Sequence, residues 1–202
     1  MVVMGMFTAG VASYDQLPQQ VASHWGIDGQ ADGYSSRFWG AFGLPLLNFA
    51  AFIILSVVPL IDPKRANIQK FMDAYDNFLL AFVGFFAYLY GLGLYYNLSQ
   101  PIHLGAWMIP GLSALFFVGG WLMKRARYNY TIGIRTPWTL ADKKVWDQTH
   151  RLSGDIYKLA AVFMLAGVFF ADQAFWFVMA LVIFTTVYSV AYSYYLFRKL
   201  HS

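Results

Sequence analysis

The sequence contains no cysteine and no glutamate, and only 12% of its residues are charged. Without cysteine there can be no disulfide framework, no thiolate nucleophile and no cysteine-based metal site. Apolar residues are abundant instead, with 59% hydrophobic and 20% aromatic residues in a chain of 202. A water-soluble domain of this length cannot bury so much apolar surface. The composition therefore predicts an integral membrane protein.

Long apolar runs predict an all-α fold, a polytopic bundle of membrane helices. A helix needs about 20 apolar residues to cross the hydrocarbon core of a bilayer. Five runs meet or nearly meet this length, namely residues 38–61, 78–98, 104–123, 156–171 and 174–197. A sixth run, residues 2–14, is shorter but lacks the basic start and the cleavage site of a signal peptide. We therefore expect six transmembrane helices.

Basic residues are distributed very unevenly along the chain. Of the 14 Lys and Arg residues, all but Arg37 lie between helices two and three, between helices four and five, or in the C-terminal tail. Because positively charged loops stay in the cytoplasm, both termini are predicted to be cytoplasmic. The loop 15–37 and the turns near Gln100 and Asp172 are then outside. We therefore attribute the net charge of +4 to this topology and expect no direct binding to nucleic acid.

The predicted helices and loops divide the chain into two regions. Residues 1–61 form an N-terminal helix pair around the extracytoplasmic loop 15–37. Residues 62–202 form a four-helix region that contains a long basic cytoplasmic segment, residues 124–157.

The extracytoplasmic loop carries His24, Asp28 and Asp32 at intervals of four residues, with Gly29 and Gly33 among them. On a helix the three polar side chains would share a face and could hold a divalent cation. The glycines favour tight turns instead, in which aspartate accepts backbone N–H bonds. Two carboxylates and an imidazole also underfill a calcium site, so the turn-rich loop is the preferred interpretation.

The cytoplasmic segment contains a helix start signal. Residues 135–138 are expected to be extended because a residue before proline avoids the helical region. Thr139 is the predicted N-cap, and Asp142, three residues later, favours the helix dipole. A helix should therefore follow, either on the inner membrane surface or leading into helix five.

One face of this predicted helix carries a mixed aromatic and polar set. Steps of four from Asp142 give Trp146, His150 and Gly154, with Thr149 alongside, whereas the charged residues 143, 144, 147 and 151 lie mostly elsewhere. Such a face can anchor the helix at the membrane interface through tryptophan. It can also form a recognition surface, which we favour because anchoring alone does not require the polar residues.

Some polar residues of the sequence suggest an enzyme or a transporter instead. A metal-dependent membrane enzyme could use His24, Asp28 and Asp32 outside, or His150 with Asp147 and Asp155 inside, but general acid and base work requires these groups to be close together. A small-molecule transporter would need a polar path, and only Thr185, Ser189, Ser193 and Asn48 offer one. No ionisable residue lies in the middle of a predicted span, which weakens the transporter hypothesis.

Two sequence motifs resemble a known family. The runs IGIRTPWTL and VWDQTHRLSG, within residues 132–154, are similar to the signature of the SdpI family, bacterial membrane proteins that give immunity to a secreted sporulation-delaying protein toxin. The run LPQQVASHWGIDGQADGYSS resembles the N-terminal domain of unknown function found in longer members. The positions that match the signature are Asn129, Gly133, Ile134, Arg135, Thr136, Pro137, Trp138, Thr139, Trp146, Thr149, His150 and Gly154. Those that match the outer motif are His24, Gly29, Asp32 and Gly33.

The resemblance implies a function that the residues alone do not. It implies an immunity protein in the bacterial cytoplasmic (inner) membrane, which meets a peptide toxin outside the cell. It also implies a signalling receptor that captures a cytoplasmic repressor protein at the membrane. Membrane lipid, a peptide toxin and a repressor are thus the expected partners, and neither catalysis nor a cofactor is expected.

Overall fold

The computed structural model describes residues 1–99, 102–170 and 173–201, which form a helical bundle with one small β-hairpin. The helices are α1 Val2–Ser13, α2 Arg37–Ile61, α3 Arg65–Ile68, α4 Met72–Leu98, α5 Leu104–Arg125, α6 Pro137–Ala141, α7 Lys143–Met164 and α8 Ala174–His201. The strands are β1 Gln20–Trp25 and β2 Ala31–Ser36. The turns predicted near Gln100 and Asp172 fall outside the described residues.

Five helical stretches in the described part of the chain are long and apolar enough to cross a membrane. Only 17% to 33% of the most apolar window of each stretch is buried inside the bundle, so most of its apolar side chains face outward. That pattern is typical of helices surrounded by lipid. The chain is thus a multi-pass membrane protein.

The sixth predicted span is not confirmed. Helix α1 has 12 residues and is therefore about 18 Å long, against a hydrocarbon core of about 30 Å. It runs beside α2, and Met1 lines a groove with Phe49 and Phe52, near the middle of that helix. The cytoplasmic position of the N-terminus stays a prediction.

The all-α prediction is wrong for the outer loop, which forms an antiparallel hairpin of β1 and β2. Gly29 has a φ of +76° in the connection, a conformation that glycine adopts easily and other residues rarely. The hairpin is fixed to α4 by Asn97, whose Oδ1 accepts the N–H of Ala22 at 2.8 Å and whose Nδ2 donates to its carbonyl at 3.1 Å. These hydrogen bonds pair the β1 backbone with α4 and hold the hairpin against the bundle.

Helices α5 and α7 approach each other very closely. A Cβ atom added to Gly120 would lie 2.7 Å from the carbonyl oxygen of Gly154, and one added to Gly154 would lie 2.6 Å from the oxygen of Gly120. Only two facing glycines allow such an approach of two helix backbones. Gly154, one of the signature residues, therefore has a packing role.

Helix α2 separates two structured polar regions. Its 25 residues correspond to a length of about 37 Å. The hairpin precedes its first residue, and Asp62 follows its last residue and bonds to the loop between α5 and α6. We refer to the two ends of the molecule as the hairpin end and the basic end.

The basic end contains the largest group of mutually packed buried residues. They come from four parts of the chain and include Ile68, Phe71, Leu122, Ile132 and Trp146. Ile132 belongs to the loop between α5 and α6, so this loop is part of the core and not a flexible linker.

Candidate functional site

Residues 126–136, which we call the polar loop, connect α5 to α6 and are organised by Asn129. This side chain is fully buried. Its Oδ1 accepts the backbone N–H of Thr131 at 2.9 Å and of Ile132 at 2.6 Å. Its Nδ2 donates to the carbonyl oxygens of Arg127 at 2.8 Å and Ile132 at 2.9 Å. One amide side chain thus satisfies four backbone groups that a loop would otherwise expose.

Asp62 ties the polar loop to the end of α2. Its Oδ2 accepts the N–H of Tyr130 at 2.9 Å and the hydroxyl of Thr131 at 2.7 Å, while Oδ1 accepts the N–H of Lys64 at 2.6 Å. Burial by itself raises the pKa of Asp62, but the hydrogen bonds from Thr131 and from the backbone outweigh it and hold the pKa below its usual range. Asp62 is therefore a charged anchor at neutral pH.

Asp62 and its neighbour Asn67 are not among the residues predicted from the sequence. The Asn67 Nδ2 donates to the carbonyl oxygen of Tyr128 at 2.8 Å. A signal for Asp62 was available. A carboxylate just past the C-terminus of a helix is disfavoured by the helix dipole. Its presence there indicates compensating partners elsewhere in the fold.

Trp146 forms the floor under the polar loop. It is fully buried, and its Nε1 donates to the carbonyl oxygen of Ala126 at 3.0 Å. The ring of Tyr128 meets it edge-on at 5.5 Å, and the Tyr128 hydroxyl donates to the carbonyl oxygen of Leu140 at 2.8 Å. The aromatic pair therefore joins α5, the loop, α6 and α7 at one point.

His150 stacks on Trp146 with ring centroids 3.9 Å apart and is 1% exposed. Its Nε2 lies 2.8 Å from the backbone nitrogen of Ile134 and its Nδ1 lies 2.9 Å from the carbonyl oxygen of Trp146. An amide can only donate and a carbonyl can only accept. The imidazole is therefore neutral, with its proton on Nδ1.

Gly133 allows this contact. Its φ is +117°, and a Cβ atom at this position would overlap the His150 ring. Both the backbone conformation and the space require glycine. The match of Gly133 and His150 to one family signature thus has a physical reason, because each residue depends on the other.

The helix cap is at Thr136 and not at Thr139 as predicted. The Thr136 hydroxyl accepts the N–H of Thr139 at 3.2 Å, and the Thr139 hydroxyl accepts the N–H of Thr136 at 2.9 Å, which forms a capping box for α6. Asp142 caps the next helix, since its Oδ1 accepts the N–H of Lys144 and of Val145. Pro137 at the first helical position fixes this earlier start.

Helix α7 continues from this cap into a membrane span, one of the two predicted arrangements. Its buried positions include Trp146, Thr149, His150 and Gly154, so the face predicted to anchor the helix or to recognise a partner packs inside the protein. The charged residues 143, 144, 147 and 151 are exposed. Thr149 Oγ1 and the neighbouring Ser153 Oγ are buried without a hydrogen-bond partner among the described residues.

Four signature residues lie at the surface near the loop or against α8. Arg135 is exposed, and its Nη1 donates to the carbonyl oxygen of Tyr130 at 3.1 Å. Trp138 packs against Tyr194 with ring centroids 5.0 Å apart, and Pro137 is exposed. The buried Thr136 hydroxyl lies 3.0 Å from that of Ser193, which links the loop to α8.

The hairpin end holds the remaining predicted site residues. His24 Nδ1 lies 2.5 Å from Asp32 Oδ1, whereas Asp28 Oδ1 accepts the N–H of Gln30 at 3.1 Å. Gly33 faces His24, since an added Cβ would lie 2.8 Å from the Cβ of His24. In the described ranges no group of three or more His, Asp or Glu side chains is arranged to hold a metal ion.

The groups suggested for an enzyme at the basic end do not come together. Both ring nitrogens of His150 are engaged with backbone groups, as described above. Asp155 instead pairs with Lys124 and with Lys158, each at 2.8 Å. The hydroxyls of Thr185, Ser189 and Ser193, proposed for a transport path, donate to carbonyl oxygens of their own helix.

Comparison with known proteins agrees with the sequence resemblance. The model of the SdpI/YfhL protein family matches residues 125–193, and that of the Domain of unknown function (DUF1648) matches residues 1–49. A curated relative, Immunity protein SdpI of Bacillus subtilis (strain 168), is 23% identical over 197 residues, which cover 96% of this chain and 92% of the relative. No solved structure matches significantly. These matches confirm the resemblance and support a membrane immunity protein at the level of the family.

Proposed function

We propose that this chain, whose residues 125–193 match the SdpI/YfhL family, is an integral membrane immunity protein that protects a bacterial cell from a secreted peptide toxin. We further propose that it acts as a receptor, which captures a cytoplasmic repressor protein when the toxin is engaged outside. The curated relative's name supports the first part. The second part rests on the arrangement of the polar regions.

The observation that carries the proposal is the separation of two ordered polar regions by the length of α2. Each region is held by its own side-chain hydrogen bonds, the hairpin through Asn97 and the polar loop through Asn129 and Asp62. A receptor that connects the two faces of a membrane needs one structured surface on each side. In this proposal the protein lies in the bacterial inner membrane with the basic end in the cytoplasm, as the positive-inside rule requires.

The proposed repressor surface is the exposed part of the polar loop and of the first turns of α7. Arg127, Arg135, Lys143, Lys144 and Arg151 are all exposed there. The buried signature residues hold this surface in shape, and the exposed cations would meet an acidic patch on the partner. We propose a protein partner and not DNA, because a membrane-bound chain meets cytoplasmic proteins more readily than the chromosome.

The orientation can be tested because the chain has no cysteine. Gln30 and Gln148 are both exposed and lie at the hairpin end and the basic end. In intact cells a membrane-impermeant maleimide should label Gln30→Cys and not Gln148→Cys. Labelling of both sites after the membrane is opened is the control. The reverse pattern would overturn the orientation.

The immunity function can be tested by expressing the chain in cells sensitive to the sporulation-delaying protein toxin. Survival should rise with the amount of membrane-inserted protein. Equal killing with and without well-expressed protein would refute immunity.

The receptor function can be tested by co-purification of cytoplasmic proteins with Arg135→Ala and Trp138→Ala variants. Both should capture less partner while staying in the membrane, whereas Gln69→Ala, an exposed change without loss of charge outside this surface, should capture as much as the parent. Undiminished capture by the first two variants would exclude this surface.

A further inference from the structure

At the hairpin end, an apolar groove runs between the hairpin and the first turns of α5 and α8. Its cavity has a volume of about 350 Å³, and its walls include Trp25, Ile27, Leu104, Ile109, Val178 and Met179. Ile109 and Met179 lie about one turn below the tops of their helices, so the groove extends from the surface into the bundle.

A second, more open groove of about 560 Å³ shares Trp25, Gly26, Ile27 and Phe175 with the first. The two therefore form one continuous depression, which we call the hairpin groove. Its open part is also lined by His24, Asp28 and Asp32. The hairpin groove thus combines an apolar floor with a polar rim.

The rim is acidic because the chain folds two carboxylates over Gly26. A Cβ atom added to Gly26 would lie 2.9 Å from Asp28 Oδ1 and 3.1 Å from Asp32 Oδ2. His24 contacts the other oxygen of Asp32, and the Asp32 side chain is 53% exposed. Arg37, the cation nearest in sequence, has its guanidinium over the Tyr14 ring at 5.8 Å and does not line the groove.

Trp25 lines both parts of the hairpin groove. Its Nε1 is shielded from solvent and has no hydrogen-bond acceptor among the described residues. The Trp25 ring packs edge-on against the ring of Tyr96, with centroids 5.3 Å apart, which fixes it as a shared wall of both parts.

We infer that the hairpin groove binds a peptide segment that places apolar side chains on the floor and a cationic group at Asp28 and Asp32. This inference rests on the proposed function and assigns the toxin-facing site. Charge selects a peptide over a lipid, because the phosphate of a lipid head group would be repelled by the acidic rim. The groove would therefore admit the cationic part of an amphipathic toxin.

A binding experiment separates this inference from immunity. The full chain in detergent micelles is titrated with a fluorescent synthetic peptide of alternating Leu and Lys, and with the same peptide in which Glu replaces Lys. The Lys peptide should bind more tightly, and the double variant Asp28→Asn with Asp32→Asn should weaken it by about tenfold. Asp15→Asn, which removes an exposed carboxylate outside the groove, should bind like the parent. Equal binding of both peptides would overturn the charge selection.

The apolar floor is tested by a second variant that does not touch the hairpin. Val178→Phe fills the groove, whereas Val187→Phe places the same larger side chain on the same helix at a residue that is 60% exposed. Only Val178→Phe should weaken binding of the Lys peptide. Binding by Val178→Phe at parental strength would overturn the site.

Survival assays with the same variants distinguish failure of the groove as the binding site from failure of the proposed immunity function. If the parent chain protects cells and the groove variants protect equally well, immunity holds and the groove is not its site. If the parent chain binds the Lys peptide through the groove but gives no protection, the site stands and the proposed function fails.

Discussion

The imidazole of His150 accepts the backbone N–H of Ile134 at 2.8 Å, across sixteen positions of the chain. This hydrogen bond connects the C-terminal part of the polar loop to the first half of α7. His150 in turn is held by its stack on Trp146 and by the Trp146 carbonyl oxygen. The arrangement explains a buried histidine without assigning it chemistry, since one ring nitrogen serves the loop backbone and the other serves the backbone of its own helix.

His150→Phe is expected to destabilise the protein by about 1–3 kcal/mol. Phenylalanine keeps a ring stacked on Trp146 but leaves the N–H of Ile134 without an acceptor, and a buried unsatisfied donor costs about this much. Thermal unfolding in detergent measures the change. His201→Phe alters a histidine at the exposed end of α8 and should have little effect. Equal melting temperatures for parent and His150→Phe would contradict the role of this bond.

Replacement by valine should lower the stability of the protein at Thr136 but not at Thr149, although both threonines are buried. Thr136→Val removes an N-cap and the contact with Ser193, and loss of a cap costs about 0.5–2 kcal/mol. Thr149→Val removes a hydroxyl that has no partner, so stability should stay the same or rise. Chemical denaturation of both variants decides the matter. A larger loss for Thr149→Val than for Thr136→Val would show that the hydrogen bonds are assigned wrongly.

Adjacent glycines of α5 provide a matched test of helix packing. Gly120→Ala would place a methyl group 2.7 Å from the Gly154 carbonyl oxygen, and overpacking of this kind costs about 1–3 kcal/mol. At Gly119 the nearest atom is on Phe78 at 3.8 Å, so Gly119→Ala should be neutral or stabilising, since alanine favours the helix. Thermal melting and the yield of folded protein measure both. Similar values for the two variants would argue against close contact of α5 and α7.

Stability should depend on pH through Asp62. Because the folded-state pKa lies below the unfolded value of about 3.9, the carboxylate stabilises the protein fully above that pH. This contribution is lost as the pH falls through the folded-state pKa. At pH 7, Asp62→Asn should cost about 2 kcal/mol, since hydrogen bonds to a charged group are stronger than neutral ones.

The measurement for Asp62 is a series of unfolding curves between pH 3 and pH 7 for parent and variant. The difference in stability between parent and variant should shrink as the pH falls below about 3.9, where the carboxyl of the unfolded chain takes up a proton. Asp147→Asn, a change of an exposed carboxylate on α7, should leave stability at pH 7 unaltered. A constant difference between parent and Asp62→Asn at every pH would contradict the charged anchor.

Periodicity placed Trp146, Thr149, His150 and Gly154 on one face of a helix, but only the packing of the polar loop and α5 against α7 shows that this face is buried. The positions four apart from Trp146 are buried, and the charged positions between them are exposed. Local chemistry was less decisive at the helix start. Thr136, Thr139 and Asp142 are all suitable caps, and only the folded backbone shows that the first two cap each other and that the third begins a separate helix.

The structure of the outer loop could also be predicted only in part from the sequence. Gly29 and the aspartates predicted turns, and the connection between β1 and β2 contains them. The strands on either side were missed because their irregular register hides the usual alternation of apolar and polar residues. Their pairing also depends on Asn97, far away in the sequence. No local pattern contains that information.

The sequence by itself determined that the chain is a membrane protein, where most of its long helices lie, and which family it resembles, because hydrophobic length and short motifs are local properties. The tertiary structure decided what the signature residues do. Asn129 and His150 serve backbone groups of the loop, Gly133 makes room for His150, and Asp62 anchors the loop from another helix. It also decided that the outer loop is a hairpin, since this depends on where distant segments pack against one another.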